Sequence, residues 1–189
     1  MQLEISIKKG DYRSPFFMDI KMKFYTVSVP YAHYLKEIDD KIPNVVDANY
    51  QNPKAFIGVV LDVDGHKYLA PLTSQKPWHA DVKSSSPNYF KLHETGNPDN
   101  GLGLINLKFM FPILESEIAL IELDDMPETR YKKMLYKQLQ FIRVNSEDIV
   151  KRSALLRHLV LTGKMKGTCN FAALEACYQK FDGLDPKPV

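Results

Sequence analysis

Thr73, Ser74 and Lys76 place two hydroxyls and an ammonium within four residues, where the extended run that starts at Lys67 breaks toward Pro77 and Trp78. A strand ending in such a group can offer donors to a phosphate. A hydroxyl pair ahead of a proline is also ordinary loop chemistry, in which Ser74 bonds nearby backbone, so the surroundings must decide. Other chemistries find no support. There is no phosphate-binding Gly-rich loop, no dinucleotide fingerprint and no nucleophile elbow. Ser74 and Lys76 are two residues apart, not three as in a Ser-x-x-Lys nucleophile. Asp62 and Asp64 resemble the start of a calcium loop, but the later ligands and the closing Glu are missing. The histidines and cysteines lack zinc spacing. No metal or cofactor is expected.

A set of lysines, hydroxyls and tyrosines suits one reaction well, the attack of an RNA 2′-hydroxyl on its own 3′ phosphate. The substrate brings the nucleophile, so the protein needs only to hold the attack line, stabilise charge on the phosphorane and manage two protons. Exposed tyrosines can stack on splayed bases, and the 2′-hydroxyl makes such a site specific for RNA.

The element that must position Ser74 is a hairpin. Phe56–Leu61 and His66–Ala70 flank Val63-Asp64-Gly65, and Asp-Gly between two apolar runs is the signal of a tight primed turn. An antiparallel pair returns the chain, so Lys54 before its first strand and Ser74 after its second converge. Ahead of it, residues 23–29 read as a strand. A helix follows from Pro30, with Tyr31, Tyr34, Leu35 and Ile38 on one stripe, ending near Ile42-Pro43. Residues 75–88 form a long polar loop, either functional or mobile, with Trp78, His79 and Lys83. Short strands are expected at 89–92, 102–114 and 117–123, with Pro112 at an edge or bulge. Tyr131, Leu135, Leu139 and Ile142 then mark a helix, and Arg130, Lys133, Lys137 and Gln140 lie on another of its faces. Further helices are read at 153–161 and, capped by Asn170, at 171–181. Strands first and helices last point to α+β.

The chain has 189 residues, 44% of them hydrophobic, enough for one well-filled core. Residues 1–21 are read as an N-terminal extension with Met22 opening a single domain to residue 183, and 184–189 as a tail. Docking of Phe16 and Phe17 on the core is the other reading. No apolar run approaches a membrane span and the first residues lack a signal-peptide h-region, so a cytoplasmic protein is expected. Cys169 and Cys177, the only cysteines, read as free thiols about two helical turns apart. Charge is divided: residues 94–128 sum to −7 and residues 130–166 to +8. Such a basic segment suits a polyanion, although a single charged helix face is more often merely solvated.

From about Met22 to Phe181 the sequence resembles the ToxN/AbiQ family, endoribonuclease toxins of type III toxin–antitoxin systems. The likeness is carried by residues 23–26 (Lys-Phe-Tyr-Thr), 50–54 (Tyr-Gln-Asn-Pro-Lys), 65–68 (Gly-His-Lys-Tyr), 71–74 (Pro-Leu-Thr-Ser), 103–106 (Gly-Leu-Ile-Asn) and 166–169 (Lys-Gly-Thr-Cys). The resemblance implies a compact twisted antiparallel sheet or barrel related to the Kid/MazF toxins, with packed helices. It implies metal-independent cleavage of adenine-rich sites to 2′,3′-cyclic phosphate and 5′-hydroxyl ends. It further implies inhibition by a repeated pseudoknot RNA in a ring-like assembly, and phage defence by growth arrest. The family's essential serine falls on Ser74, beside Thr73 and Lys76, and its active-site lysine falls on Lys54. Its groove tyrosines fall on Tyr31 and Tyr50.

Each of these residues also has a plainer role open to it. Lys54 and Lys76 are of the type most often found merely at the surface. Tyr31 opens an amphipathic helix and can pack instead of stacking, whereas Tyr50 lies in a polar loop. Trp78 and His79 are candidates to touch RNA, and Trp78 can equally cover the mouth of the sheet. His66 reads as structural. Arg130, Lys133, Lys137, Lys164 and Lys166 are expected to meet the antitoxin RNA rather than the scissile phosphate. The alternative function is a non-catalytic RNA-binding module; a DNA-directed nuclease is a third.

Overall fold

The computed structural model describes residues 22–45 and 54–183. The expectations for residues 1–21, for Tyr50 and for the C-terminal tail lie outside them. Eleven main elements follow in order: β1 (Lys23–Val27), α1 (Val29–Ile38), β2 (Phe56–Val63), β3 (His66–Thr73), β4 (Tyr89–Glu94), β5 (Asn97–Asn106), β6 (Phe111–Pro112), β7 (Ile118–Leu120), α2 (Arg130–Val144), α3 (Ser146–Leu161) and α4 (Phe171–Cys177). All strand pairs are antiparallel, in the order β4-β5-β3-β2-β1-β7, with β6 added to β3. The α+β reading is therefore correct.

Local chemistry explains the boundaries. The Ser28 side chain accepts from Tyr31 N and caps α1, with Pro30 in its first turn. The helix stops at Ile38, four residues earlier than expected, because Asp39 leaves helical geometry and its side chain turns to bond Lys41 N and Asn170 N. Asp64 and Gly65 both take positive φ, 52° and 79°, as a primed turn between β2 and β3 requires. β5 is longer on its N-terminal side than its sequence suggested. The Gly, Pro and Asn residues at 96–101 form a hairpin arm against β4 that carries register shifts. Asn170 caps α4 through Ala173 N, but α4 ends at Cys177 and passes into a 3-10 turn. Cys169 thus precedes the helix; both thiols are free.

The core lies on the strands and under the helices. Phe24, Phe56, Tyr68, Leu69, Phe111 and Phe171 are fully buried, with Leu135, Ile142, Ile149 and Leu156 brought in by α2 and α3. Phe56 meets Phe111 edge-on at 5.5 Å and Tyr68 meets Phe171 at 5.9 Å. The turn end of the β2–β3 hairpin is tied to the helices. Arg157 donates to Glu175 through Nε at 2.7 Å and Nη2 at 2.9 Å, and its Nη1 lies 3.3 Å from Asp64. Tyr68 donates to the same Glu175 carboxylate, and His66 Nδ1 sits 3.2 Å from the Tyr178 hydroxyl, so His66 is structural as expected. With its turn end anchored, the hairpin presents its other end for function.

Candidate active site at the open end of the hairpin

The open end brings together the residues that the sequence singled out. Leu72 N donates to Ala55 O at 3.3 Å, so the β2–β3 pairing extends one residue beyond the formal strand. The register Phe56↔Pro71 then sets Lys54 across from Thr73. Thr73 is half-buried, while Ser74 and Lys76 are exposed. Lys54 is half-buried, and burial, reinforced by the charge of Lys76, pushes its ammonium below the usual lysine range. At any given pH a larger fraction of Lys54 than of a free lysine is therefore neutral.

β5 forms the floor. Thr73 pairs with Leu104, and Gly103 has φ 119°, in the region that L side chains rarely adopt. A Cβ at Gly103 would stand 2.0 Å from the Thr73 carbonyl oxygen. Glycine alone lets the β5 backbone lie against the turn that carries Ser74.

The segment after Lys76 is ordered. Residues 77–81 form a 3-10 turn that opens at Pro77. Arg152 Nη1 donates to the carbonyls of Ser84, Ser86 and Tyr89, and Lys91 Nζ to that of Ala80. These bonds tie the loop to α3 and β4. Trp78 is 43% exposed and leans edge-on against Tyr89, with ring centres 5.7 Å apart. Its free face is available for stacking.

Two expectations for RNA contact are corrected. Tyr31 is fully buried; its hydroxyl donates to Pro112 O at 3.0 Å and its ring abuts Phe181, so it cannot stack on a base. His79 is 2% exposed and faces inward. Lys137 is held by Glu94 at 2.6 Å, which weakens its claim on RNA, whereas Arg130, Lys133, Lys164 and Lys166 are exposed. The sequence reading passed over Tyr89 and Lys91. Alternation along β4 carried the signal: Phe90 and Leu92 are buried, so Tyr89 and Lys91 share the opposite face, which the 3-10 turn meets.

The open end of the hairpin of this α+β protein thus gathers the ammonium groups of Lys54 and Lys76 with the hydroxyls of Thr73 and Ser74. The chain belongs to the ToxN family of endoribonuclease toxins: residues 23–179 match the family described as "Toxin ToxN, type III toxin-antitoxin system". It is 65% identical over 160 residues to the Endoribonuclease ToxN of Pectobacterium atrosepticum, spanning 85% of this chain and 94% of that protein. It is 30% identical to the Endoribonuclease AbiQ of Lactococcus lactis subsp. lactis over 82% of this chain and 86% of that one. Among solved structures it is similar to one reported under "A processed non-coding RNA regulates a bacterial antiviral system", with a TM-score of 0.84 at 64% identity, covering 85% of this chain and 99% of that one. The structure of AbiQ, a lactococcal anti-phage endoribonuclease of the type III toxin–antitoxin class, matches with a TM-score of 0.77 at 27% identity, over 87% and 99% of the two chains.

Proposed function

We propose that this protein is an endoribonuclease toxin of a type III toxin–antitoxin system that cuts RNA by attack of the 2′-hydroxyl on the adjacent phosphate. The observation that carries this reading is Lys54, half-buried and pushed toward its neutral form, across the open hairpin end from Thr73, Ser74 and Lys76. In the proposed step neutral Lys54 takes the 2′-hydroxyl proton while the O2′–P bond forms. Thr73 and Ser74 donate to the non-bridging oxygens and Lys76 balances the phosphorane charge. The P–O5′ bond breaks, and O5′ takes a proton from Lys76 or water. The products are a 2′,3′-cyclic phosphate and a 5′-hydroxyl, and no metal is needed. Trp78 and Tyr89 offer surfaces on which flanking bases stack.

Inhibition by a folded non-coding RNA fits the second part of the reading. A related structure concerns selective toxin inhibition by a non-coding RNA pseudoknot, at 25% identity and a TM-score of 0.69. The exposed Arg130, Lys133, Lys164 and Lys166 are the groups proposed to hold it, in a closed toxin–RNA assembly whose release leads to growth arrest during phage infection. Among the described residues no helix is long and apolar enough to cross a membrane.

Cleavage of an adenine-rich RNA in excess EDTA tests the chemistry. The wild type should cut, Ser74→Ala should cut about 10²–10³-fold more slowly, and a single 2′-deoxy substitution at the cut site should stop the reaction. Wild type that binds RNA and never cuts it would establish the non-catalytic binding module instead. Cutting of the deoxy substrate would establish a DNA-competent nuclease.

A further inference from the structure

His79 is buried beside the proposed site, and its surroundings differ from those of a packing residue. It is the third residue of the 3-10 turn that Lys76 caps. The His79 backbone N donates to Lys76 O at 3.0 Å, and His79 Nδ1 lies 3.4 Å from Lys76 N. Both polar backbone groups of Lys76 are thus held by one residue. The same Nδ1 is 3.3 Å from Gln75 Oε1, an amide oxygen that only an Nδ1–H could donate to, so the ring tautomer decides which of the two contacts is a hydrogen bond. The Gln75 side chain lies over Gly101 so closely that a Cβ there would come within 2.9 Å of it. Nε2 is buried without a partner among the described residues. A leucine would fill this space without an orphaned nitrogen, so bulk alone does not account for an imidazole here.

We infer that His79 is a positioning residue, a neutral imidazole that clamps the Lys76 backbone through Nδ1 and thereby sets Ser74 and Lys76 against the scissile phosphate. The assignment rests on the reading of Ser74 and Lys76 given above. The clamp needs the neutral ring with its proton on Nε2 and the Gln75 amide turned to present its nitrogen, because an N–H on Nδ1, in the cation or in the other tautomer, would face the Lys76 N–H. The groups around the ring oppose that proton. Burial disfavours the charge, and the ammonium groups of Lys76 on its own segment and Lys91 from β4 repel it. The remaining neighbours, Gln75 and Trp78, carry no ionisable group, and Tyr89 lies behind Trp78.

The pH dependence of cleavage separates this role from mere packing. Deprotonation of Lys54 makes the logarithm of kcat rise with pH with a slope of about one. Below the ordinary imidazole value of 6.5, protonation of His79 should release Lys76 and steepen the slope toward two. His79→Asn retains an acceptor near the Nδ1 position but cannot titrate. It should keep kcat within about threefold of wild type at neutral pH and show a slope of one throughout. His79→Leu lacks the acceptor and should lose kcat about tenfold or more at little changed KM. A slope of two that persists in His79→Asn would overturn the clamp, and so would a His79→Leu enzyme as fast as wild type. If His79→Leu does not fold, the slope of His79→Asn still decides. With wild type cutting and Ser74→Ala slow, either adverse result removes the clamp alone; wild type that never cuts RNA removes both readings.

Discussion

At the scale of single residues the decisive group is Lys54, because its environment works against its own charge. Burial and then Lys76 favour the neutral amine, so its folded pKa lies below 10.5. Lys54→Arg keeps a cation but cannot supply a neutral base. It should lower kcat about 10²–10³-fold while leaving RNA affinity nearly intact, measured by single-turnover cleavage alongside filter binding. The sign of the stability linkage follows. Below the unfolded value of 10.5 the unfolded chain binds more protons at this position than the folded one. Stability therefore rises with pH through the window between the two pKa values. In Lys54→Met that local rise should vanish from denaturation curves taken across the alkaline range. Thr73, Ser74 and Lys76 draw attention by type and spacing, but that signal is also ordinary loop chemistry before a proline, and it is the resemblance that singles them out. Tyr31 was not legible. Its helical period correctly put it on the inward stripe, but the carbonyl that takes its hydroxyl belongs to Pro112, 81 residues away. His79 was misread for a related reason: the turn that buries it leans on Lys91 and Tyr89 of a later strand.

Among the elements, the β2–β3 hairpin is the part that local sequence best foretold. The Asp64-Gly65 turn sets the register, and the register brings Lys54 opposite Thr73. What local sequence does not contain is how the two ends are held. At the open end, Gly103→Ala would put a methyl 2.0 Å from the Thr73 carbonyl and force an unfavourable φ. A loss of about 1–3 kcal/mol in chemical denaturation is expected from the strain alone. Cleavage should suffer further as Ser74 shifts. At the turn end, burial alone would raise the Glu175 carboxyl. The hydrogen bonds from Arg157 and Tyr68 and the charges of Arg157 and His66 outweigh burial and hold it below the usual carboxylate range. A depressed folded pKa gives stability that is present above the unfolded value, 4.5, and lost as pH falls through the folded one. Glu175→Gln should cost about 1.5–3 kcal/mol at neutral pH and flatten the acid limb of the unfolding curve, with less effect on cleavage than changes at the open end.

For the molecule as a whole, charge is the property that sequence order showed most plainly and structure refines most. The basic segment 130–166 does not act as one block. Lys132 is buried against the carbonyls of Asp124 and Met126 and the Glu128 carboxylate, and Lys137 is spent on Glu94. Arg152 serves the polar loop and Arg157 serves Glu175. Lys151 pairs with Glu147 at the surface, and Arg130, Lys133, Arg143, Lys164 and Lys166 remain exposed for a polyanion. Lys133→Gln and Lys164→Gln should each weaken binding of the antitoxin RNA and lower the slope of log affinity against log salt by about one. Lys132→Gln should instead lower stability, leaving the salt slope as it was. Counting lysines along the chain could not make that distinction, since the acceptors of Lys132 come from a loop that only the folded chain wraps around it.

The hairpin anchored at its turn has a consequence for how the protein comes into being. Synthesis proceeds from the N-terminus, so a growing chain carries Lys54, Ser74 and Lys76 well before β5 can pair beside β3. The ties at the turn come later still, for Tyr68 waits for Glu175 across 107 residues and His66 for Tyr178 across 112. Contacts that distant form late and slowly. An incomplete chain thus has the proposed site residues but neither the β5 pairing nor the anchor that aims them, and on that reading catalytic competence should arrive only once α4 has docked.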